Sequence, residues 1–492
     1  MGKATLYIAS LLAGLCQLYI GYDSNTFSSV LVIKPWVDFM GHPNDAQLGS
    51  LQTCYTVPTI ILAIFVAPYI QDRWGRRISM SLGSAIIVVA ALVMALTPNS
   101  TGFWAGRVVL GVGQAFVYAA PTYMAECATR TIRGRIVGIW QITWATGALI
   151  STVIAIGATS NASLGEWQWR LIEITQVVIP SIVAVGIWFV PESPRWLVEH
   201  DRLDDARDAL RRLRTEQDDV EGEFTDIVEA VKWEKENTSK LSIREIFVDK
   251  SIRHRLFIAC FLNLFNQVCG NNAMNNFGSV VYNSAFNSPT IALTMQAVQD
   301  VVQMFGATIA ILWIDRIGRR RALFWGAILM CIFLIIAGAV PVGVGPENIV
   351  NNKAAAGVLV LFICLFYVTF GPSWGASVWI VTTEIFPMNV RAQLVGISSQ
   401  FQNIGSLALS QAFPTMFADL SYKSMFVFAG FNIFMAIIVW FFLPETKNIS
   451  LEEMDVLFGG VNRVEEQKKK DGLIETKPEG SYADEKQEVS MA

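Results

Sequence analysis

The residues best suited to chemistry are charged, duplicated and evenly placed. Asp72-Arg73-Trp74-Gly75-Arg76-Arg77 returns as Asp315-Arg316-Ile317-Gly318-Arg319-Arg320, 315 − 72 = 243 positions later. Their chemistry is ion pairing and charge-assisted hydrogen bonding with carboxylates, not bond making or breaking. Glu126, followed by Arg130 and Arg133, and Glu384, followed by Arg391, stand in matching contexts. This pattern predicts a latch in which loop residues reach carboxylates at the ends of neighbouring spans and break when one side opens. The alternative is a topology signal whose exposed pairs are worth under about 1 kcal/mol each.

Two further groups stand out inside apolar runs. Asp23 and Arg107 are ionisable residues in or near hydrocarbon, where an isolated charge costs about 2.5–3.5 kcal/mol on insertion scales and so favours a partner or a watery cavity. Asp23 could equally be a helix-end carboxylate reaching headgroups. Gln267, Asn271, Asn272, Asn275 and Asn276, with Asn266, surround Gly270 in an amide density that no lipid-facing helix tolerates. At about 100° per residue they cover half of a helix. Amides donate and accept without charge and suit neutral hydroxyl-bearing ligands; a bond between helices accounts for one or two of them. Gly270 predicts that this helix unwinds and bends. Seven cysteines and three histidines are scattered without ligand spacing, and no nucleophile, metal cluster or phosphate loop appears. Neither an enzyme nor a cofactor is expected.

Positioning such groups requires a membrane scaffold. The 492 residues are 53% hydrophobic and 16% charged, with a mean hydropathy of +0.43. The net charge of −4 argues against a nucleic-acid partner. Crossing roughly 30 Å of hydrocarbon takes about 20 apolar residues, and twelve runs qualify. They lie near 5–28, 48–70, 78–97, 103–126, 136–158 and 169–190, then near 254–283, 290–314, 321–341, 355–382, 392–415 and 424–443. The first reads as a retained span rather than a signal peptide.

The duplicated loops imply two related halves, 1–194 and 253–445, with a polar loop at 195–252 and a tail at 446–492. Arg and Lys concentrate on one face, so the positive-inside rule places the Arg loops, central loop and both termini in the cytoplasm. Leu203, Ala206, Leu210 and Leu213 predict short amphipathic helices in the loop. The tail reads as disordered beyond about residue 462. Sequons at Asn99 and Asn161 fall outside, those at Asn237 and Asn448 inside, so they decide nothing.

Taken in order, the motifs resemble the sugar porters of the major facilitator superfamily. They are Gly21-Tyr22-Asp23, both Arg loops, Gly106-Arg107, Pro121-Thr122-Tyr123-Met124-Ala125-Glu126, Arg133-Gly134, Pro191-Glu192-Ser193-Pro194-Arg195-Trp196-Leu197, Glu384-Ile385-Phe386-Pro387 and Pro444-Glu445-Thr446. The resemblance implies an all-α, twelve-helix transporter built from two six-helix bundles. It also implies a proton-linked pair of Asp23 with Arg107, membership of Glu192 and Glu445 in the gate, and sugar contacts at Gln141, Gln267, Asn272 and Trp379. Departures fall mainly in the second half: Asn276-Phe277 replaces a Tyr pair, Gln303 an Asn, Ala376 and Val378 prolines, and Gln402-Asn403 an Asn-Trp. In the first half, Pro68 replaces a Gly. These changes make a cargo other than plain glucose the more open expectation, with Gln303 and Gln402 added to the candidate contacts.

The expected function is therefore proton-coupled import of a neutral sugar or related polyol by alternating access, as a monomer, in the plasma membrane. An uncoupled uniporter and a non-transporting sugar sensor are the alternatives.

Overall fold

The computed structural model describes residues 2–129, 133–215, 218–237, 250–386, 391–446 and 458, excluding the side chains of 2–3, 133–141, 233–237, 311–317 and 391–392. Among the described residues there is no strand, and twelve spanning helices account for the two halves. Spans 1 to 6 are Gly2–Val30, Asp45–Phe65 extended by Ala67–Trp74, Arg76–Leu96, Ser100–Val117 with Ala120–Cys127, Arg133–Thr159, and Trp167–Thr175 with Val178–Gly186. Spans 7 to 12 are Lys250–Val268 with Asn271–Phe286, Pro289–Ile317, Arg319–Val344, Lys353–Phe370 with Ala376–Glu384, Arg391–Leu420, and Ser424–Phe442. Nine described stretches are apolar and long enough to cross a membrane, one of them, Gln393–Phe442, covering two helices. Span 7 falls short of that hydropathy because amides interrupt it.

Breaks in the helices have local causes. Gly270 takes φ +113 between the two pieces of span 7, a conformation that costs a residue with a Cβ. Span 10 widens into a π-helical turn at Gly371–Gly375, where Pro372 cannot donate to the regular ladder. Spans 1 and 5 cross at Gly21 and Gly147, each lying where a Cβ would strike the other helix's backbone carbonyl, of Trp144 and Leu18 respectively. Close approach through small residues is how membrane helices gain dispersion contact without a hydrophobic driving force.

Between the halves, helices Pro194–Glu199, Leu203–Leu213 and Val220–Asn237 form a small satellite core of Trp196, Leu197, Ala206, Leu210, Phe224 and Val231. Leu203 departs from the expected amphipathic face and is exposed, because it starts its helix beyond the reach of that core. Arg214 holds this layer to the first half: it binds Glu223 at 2.7 and 2.8 Å and donates to the Cys127 carbonyl at 2.9 Å.

Candidate functional site

The two Arg loops build the same structure twice. Gly75 and Gly318 adopt φ +95 and +91, turning the chain from one span into the next. At Gly75 the Glu192 carboxylate occupies the place of a Cβ; at Gly318 Glu445 comes to 2.9 Å of that place. The space freed by glycine lets Glu192 accept the Arg77 backbone N–H at 3.1 Å and Glu445 accept that of Arg319 at 2.8 Å. Arg76 then pairs with Glu126 at 3.1 Å and Arg319 with Glu384 at 3.0 Å. Arg77 donates to the Ile187 and Trp188 carbonyls and lies over the Trp188 ring; Arg320 donates to the Trp440 carbonyl and lies over that ring. Burial raises the pKa of Glu192 above its ordinary value, while the Ser193 and Arg77 N–H groups and the arginines pull it back.

Asp72 and Arg73, expected in this network, lie at its margin. Asp72 is exposed and comes only to 4.0 Å of Arg76, and Arg73 donates to Tyr69. The end of their helix points these two side chains outward. The Arg–Glu pairs each join residues of one half. Arg133, Asp315, Arg316 and Arg391 lie outside the described side chains.

Within the first half, Arg107 reaches Asp23 at 3.4 Å, with 2% and 3% of their surfaces exposed, so the pair is sealed from water. Gln176 donates to the same Asp23 oxygen at 2.8 Å, and Arg107 donates to Gln52 at 2.6 Å. The guanidinium also stands over the Phe27 and Tyr55 rings at 4.5 and 5.1 Å. Glu173, one turn from Gln176, is a second buried carboxylate beside the pair. Sequence reasoning missed Gln52, Glu173 and Gln176. The Glu173/Gln176 spacing of three residues inside an apolar run was the available signal.

In span 7 the amides bond one another and neighbouring helices. Asn266 donates to the Trp374 carbonyl at 2.7 Å and accepts from Gln402 at 2.9 Å and Gln267 at 3.2 Å. Asn272 donates to Ser406 at 2.7 Å and accepts from Ser410 at 3.0 Å and Asn276 at 3.2 Å. Asn271 accepts from Asn275, which accepts from Tyr367. This bonding explains more of the cluster than the one or two residues expected. Gln267 and Gln402 remain partly accessible, and Trp379 is 43% exposed. Gln303 is buried on span 8, on the face that also carries Gln296, Gln299 and Asp300. Gln141 lies outside the described side chains.

Among the described side chains, hydrogen bonds joining the halves lie on the side opposite the Arg loops. Ser24 bonds Asn276, Ser28 bonds Ser279, Thr53 bonds Gln411, and Asn25 and Thr152 both bond Asp300.

Two matched six-helix halves meeting along polar contacts, each with a mirrored Arg-loop network, define a polytopic membrane transporter. The family model described as "Sugar (and other) transporter" matches residues 9–458, and the chain belongs to that family, the sugar porters of the major facilitator superfamily. It is 27% identical over 478 residues to the high-affinity glucose transporter of Kluyveromyces lactis, covering 92% of this chain and 85% of that one. To sugar transport protein MST6 of Oryza sativa subsp. japonica it is 29% identical, covering 92% and 89%. To a probable quinate permease of Aspergillus fumigatus it is 27% identical, covering 92% and 87%. The inward-open structure of the xylose transporter XylE from E. coli shares the fold, with a TM-score of 0.75 at 22% identity over 92% of this chain and 99% of that one.

Proposed function

We propose that this transporter imports a neutral sugar or related polyol together with protons. It works as a monomer in the plasma membrane, with the Arg loops and both termini in the cytoplasm. The observation that carries the coupling is the sealed Asp23–Arg107 pair. An ion pair without water is bistable: a proton on Asp23 removes the attraction and leaves Arg107 held by its existing bond to Gln52, so proton binding and helix movement are linked. Cargo hydroxyls take the amides of Gln267, Asn272, Asn276 and Gln402, with Asn271 and Gln141 beside them, and a ring packs on Trp379. The Arg-loop networks hold each half rigid on the cytoplasmic side and release as that side rearranges.

The quinate permeases among the relatives favour a second cargo reading, a cyclic polyhydroxy acid. Competition of hexoses, pentoses, disaccharides, polyols and quinate-like acids for uptake, with and without a proton gradient, separates the two. Inhibition by neutral sugars and polyols supports the first, and inhibition by the acids alone overturns it. In the same assay Gln402→Ala is expected to raise the half-saturating concentration roughly tenfold, the worth of one lost hydrogen bond of about 1.4 kcal/mol, at unchanged maximal rate. An unchanged half-saturation in that variant removes Gln402 from the site.

A further inference from the structure

Asp300 is a fully buried carboxylate that the coupling pair, the amide wall and the Arg loops do not use; 1% of its surface is exposed. It lies on span 8, eleven residues from Pro289, while its two donors belong to the other half, five residues before the end of span 1 and seven before the end of span 5. Asn25 Nδ2 donates to Oδ2 at 2.7 Å and Thr152 Oγ1 donates to the same oxygen at 2.9 Å.

Those donors are held ready by their own half. Asn25 Nδ2 also reaches Thr152 Oγ1 at 2.9 Å and the Ala148 carbonyl at 3.2 Å, and Thr152 Oγ1 lies 3.0 Å from that same carbonyl. Closing the halves on Asp300 therefore orders no new side chains in the first half, which removes most of the entropic cost of forming a contact. Hydrogen bonds to a carboxylate are short and about twice as strong as neutral ones.

The surroundings suit an interface that opens. Gln296, Gln299 and Gln303 share the helix face of Asp300, and Gln299 Nε2 and Gln303 Oε1 are buried without a hydrogen bond to any described residue in the closed arrangement. A permanent interface gains by replacing such groups with apolar ones, since each unmet polar atom costs about 1–3 kcal/mol. A face that meets water for part of a cycle recovers those bonds when it opens.

We propose that Asp300 is the acceptor of a latch, with Asn25 and Thr152 as preorganised donors, that holds the two halves together on the side opposite the Arg loops. The latch rests on the alternating-access reading and adds to it a residue that sets the balance between the two states. Asp300 is a positioning residue: it touches the other half, not the cargo.

Labelling by a membrane-impermeant thiol reagent tests this in the full-length protein in liposomes. Ser28→Cys is the reporter, since Ser28 is fully buried at the same junction; the same variants without it correct for the seven native cysteines. Asp300→Ala leaves Thr152 its Ala148 carbonyl, so the first half keeps its local bonds. It is expected to raise the labelling rate of the reporter thiol at least fivefold, as is Thr152→Val, which removes a donor. Asp300→Asn keeps an acceptor oxygen but loses the charge, and is expected to label at a rate between the parent and Asp300→Ala. Unchanged or slower labelling in both Asp300→Ala and Thr152→Val overturns the latch, as does Asp300→Asn behaving like Asp300→Ala. Labelling needs no cargo, so altered labelling in a protein that moves no sugar contradicts the transport reading alone.

Discussion

Asp23→Asn is expected to abolish uphill accumulation of cargo while leaving exchange of internal for external cargo within a few-fold of the parent rate. Asparagine keeps the shape of aspartate and still accepts from Gln176, whose Nε2 lies 2.8 Å from the Asp23 oxygen. It cannot take up or release a proton. Arg107 then loses the carboxylate it pairs with at 2% exposure and is held by Gln52 and the Phe27 and Tyr55 rings, with Glu173 as the remaining acidic group nearby. An uncompensated buried charge costs several kcal/mol, so the variant rests in whichever state best hydrates Arg107. Both sides still exchange, because the loaded carrier crosses without net proton movement. Full concentrative uptake in Asp23→Asn, measured with labelled cargo in proteoliposomes under an imposed proton gradient, would remove Asp23 from the coupling.

The second large effect belongs to the loop glycines. Gly75→Ala places a Cβ at φ +95 and ψ 168, a region essentially reserved for glycine that costs about 1–3 kcal/mol, and drives it into the Glu192 carboxylate. Moving Glu192 breaks its bond from the Arg77 N–H, leaving a buried carboxylate short of a donor for about 1–3 kcal/mol more. The same substitution at Gly318 displaces Glu445 and the Arg319 N–H bond. Each variant is expected to lower the melting temperature of the purified protein by several degrees and to weaken transport. Gly157→Ala, where nothing lies within 4 Å of the added carbon, serves as the control and is expected to change little. Equal melting temperatures for Gly75→Ala and Gly157→Ala would contradict the structural account of the duplicated motif.

The sequence already carried the twelve spans, the two related halves and the partners of Arg76 and Arg319, because hydropathy and a repeat separated by 243 positions are visible in one dimension. The break at Gly270 was legible for a similar reason: a glycine among six amides advertises both a bend and a polar face. The need for Gly75 and Gly318 was not, since it arises from a φ angle and from carboxylates more than a hundred residues away. Gln52 was hidden because it reads as an isolated polar residue near a span end, and the Glu173/Gln176 spacing marks a polar face without naming its partners; only folding gathers all three around Asp23 and Arg107. Asp300 was in plain view with Gln296, Gln299 and Gln303 at positions i, i+3, i+4 and i+7 of one helix face. Its meaning depends on which half supplies the donors, and that is a property of packing. Asp72 and Arg73 went the other way: repeated spacing made them look like partners, yet a helix face turns them outward.

The central claim is that movement of cargo is tied to movement of protons. Purified protein in liposomes loaded at one pH and diluted into another, with sugar uptake followed in the presence and absence of a protonophore, tests it most directly. Accumulation above the external concentration is expected when the outside is acidic, with collapse to simple equilibration when the protonophore is added. Uptake that stops at equilibrium whatever the gradient would contradict it and make the protein a uniporter with a structural Asp23.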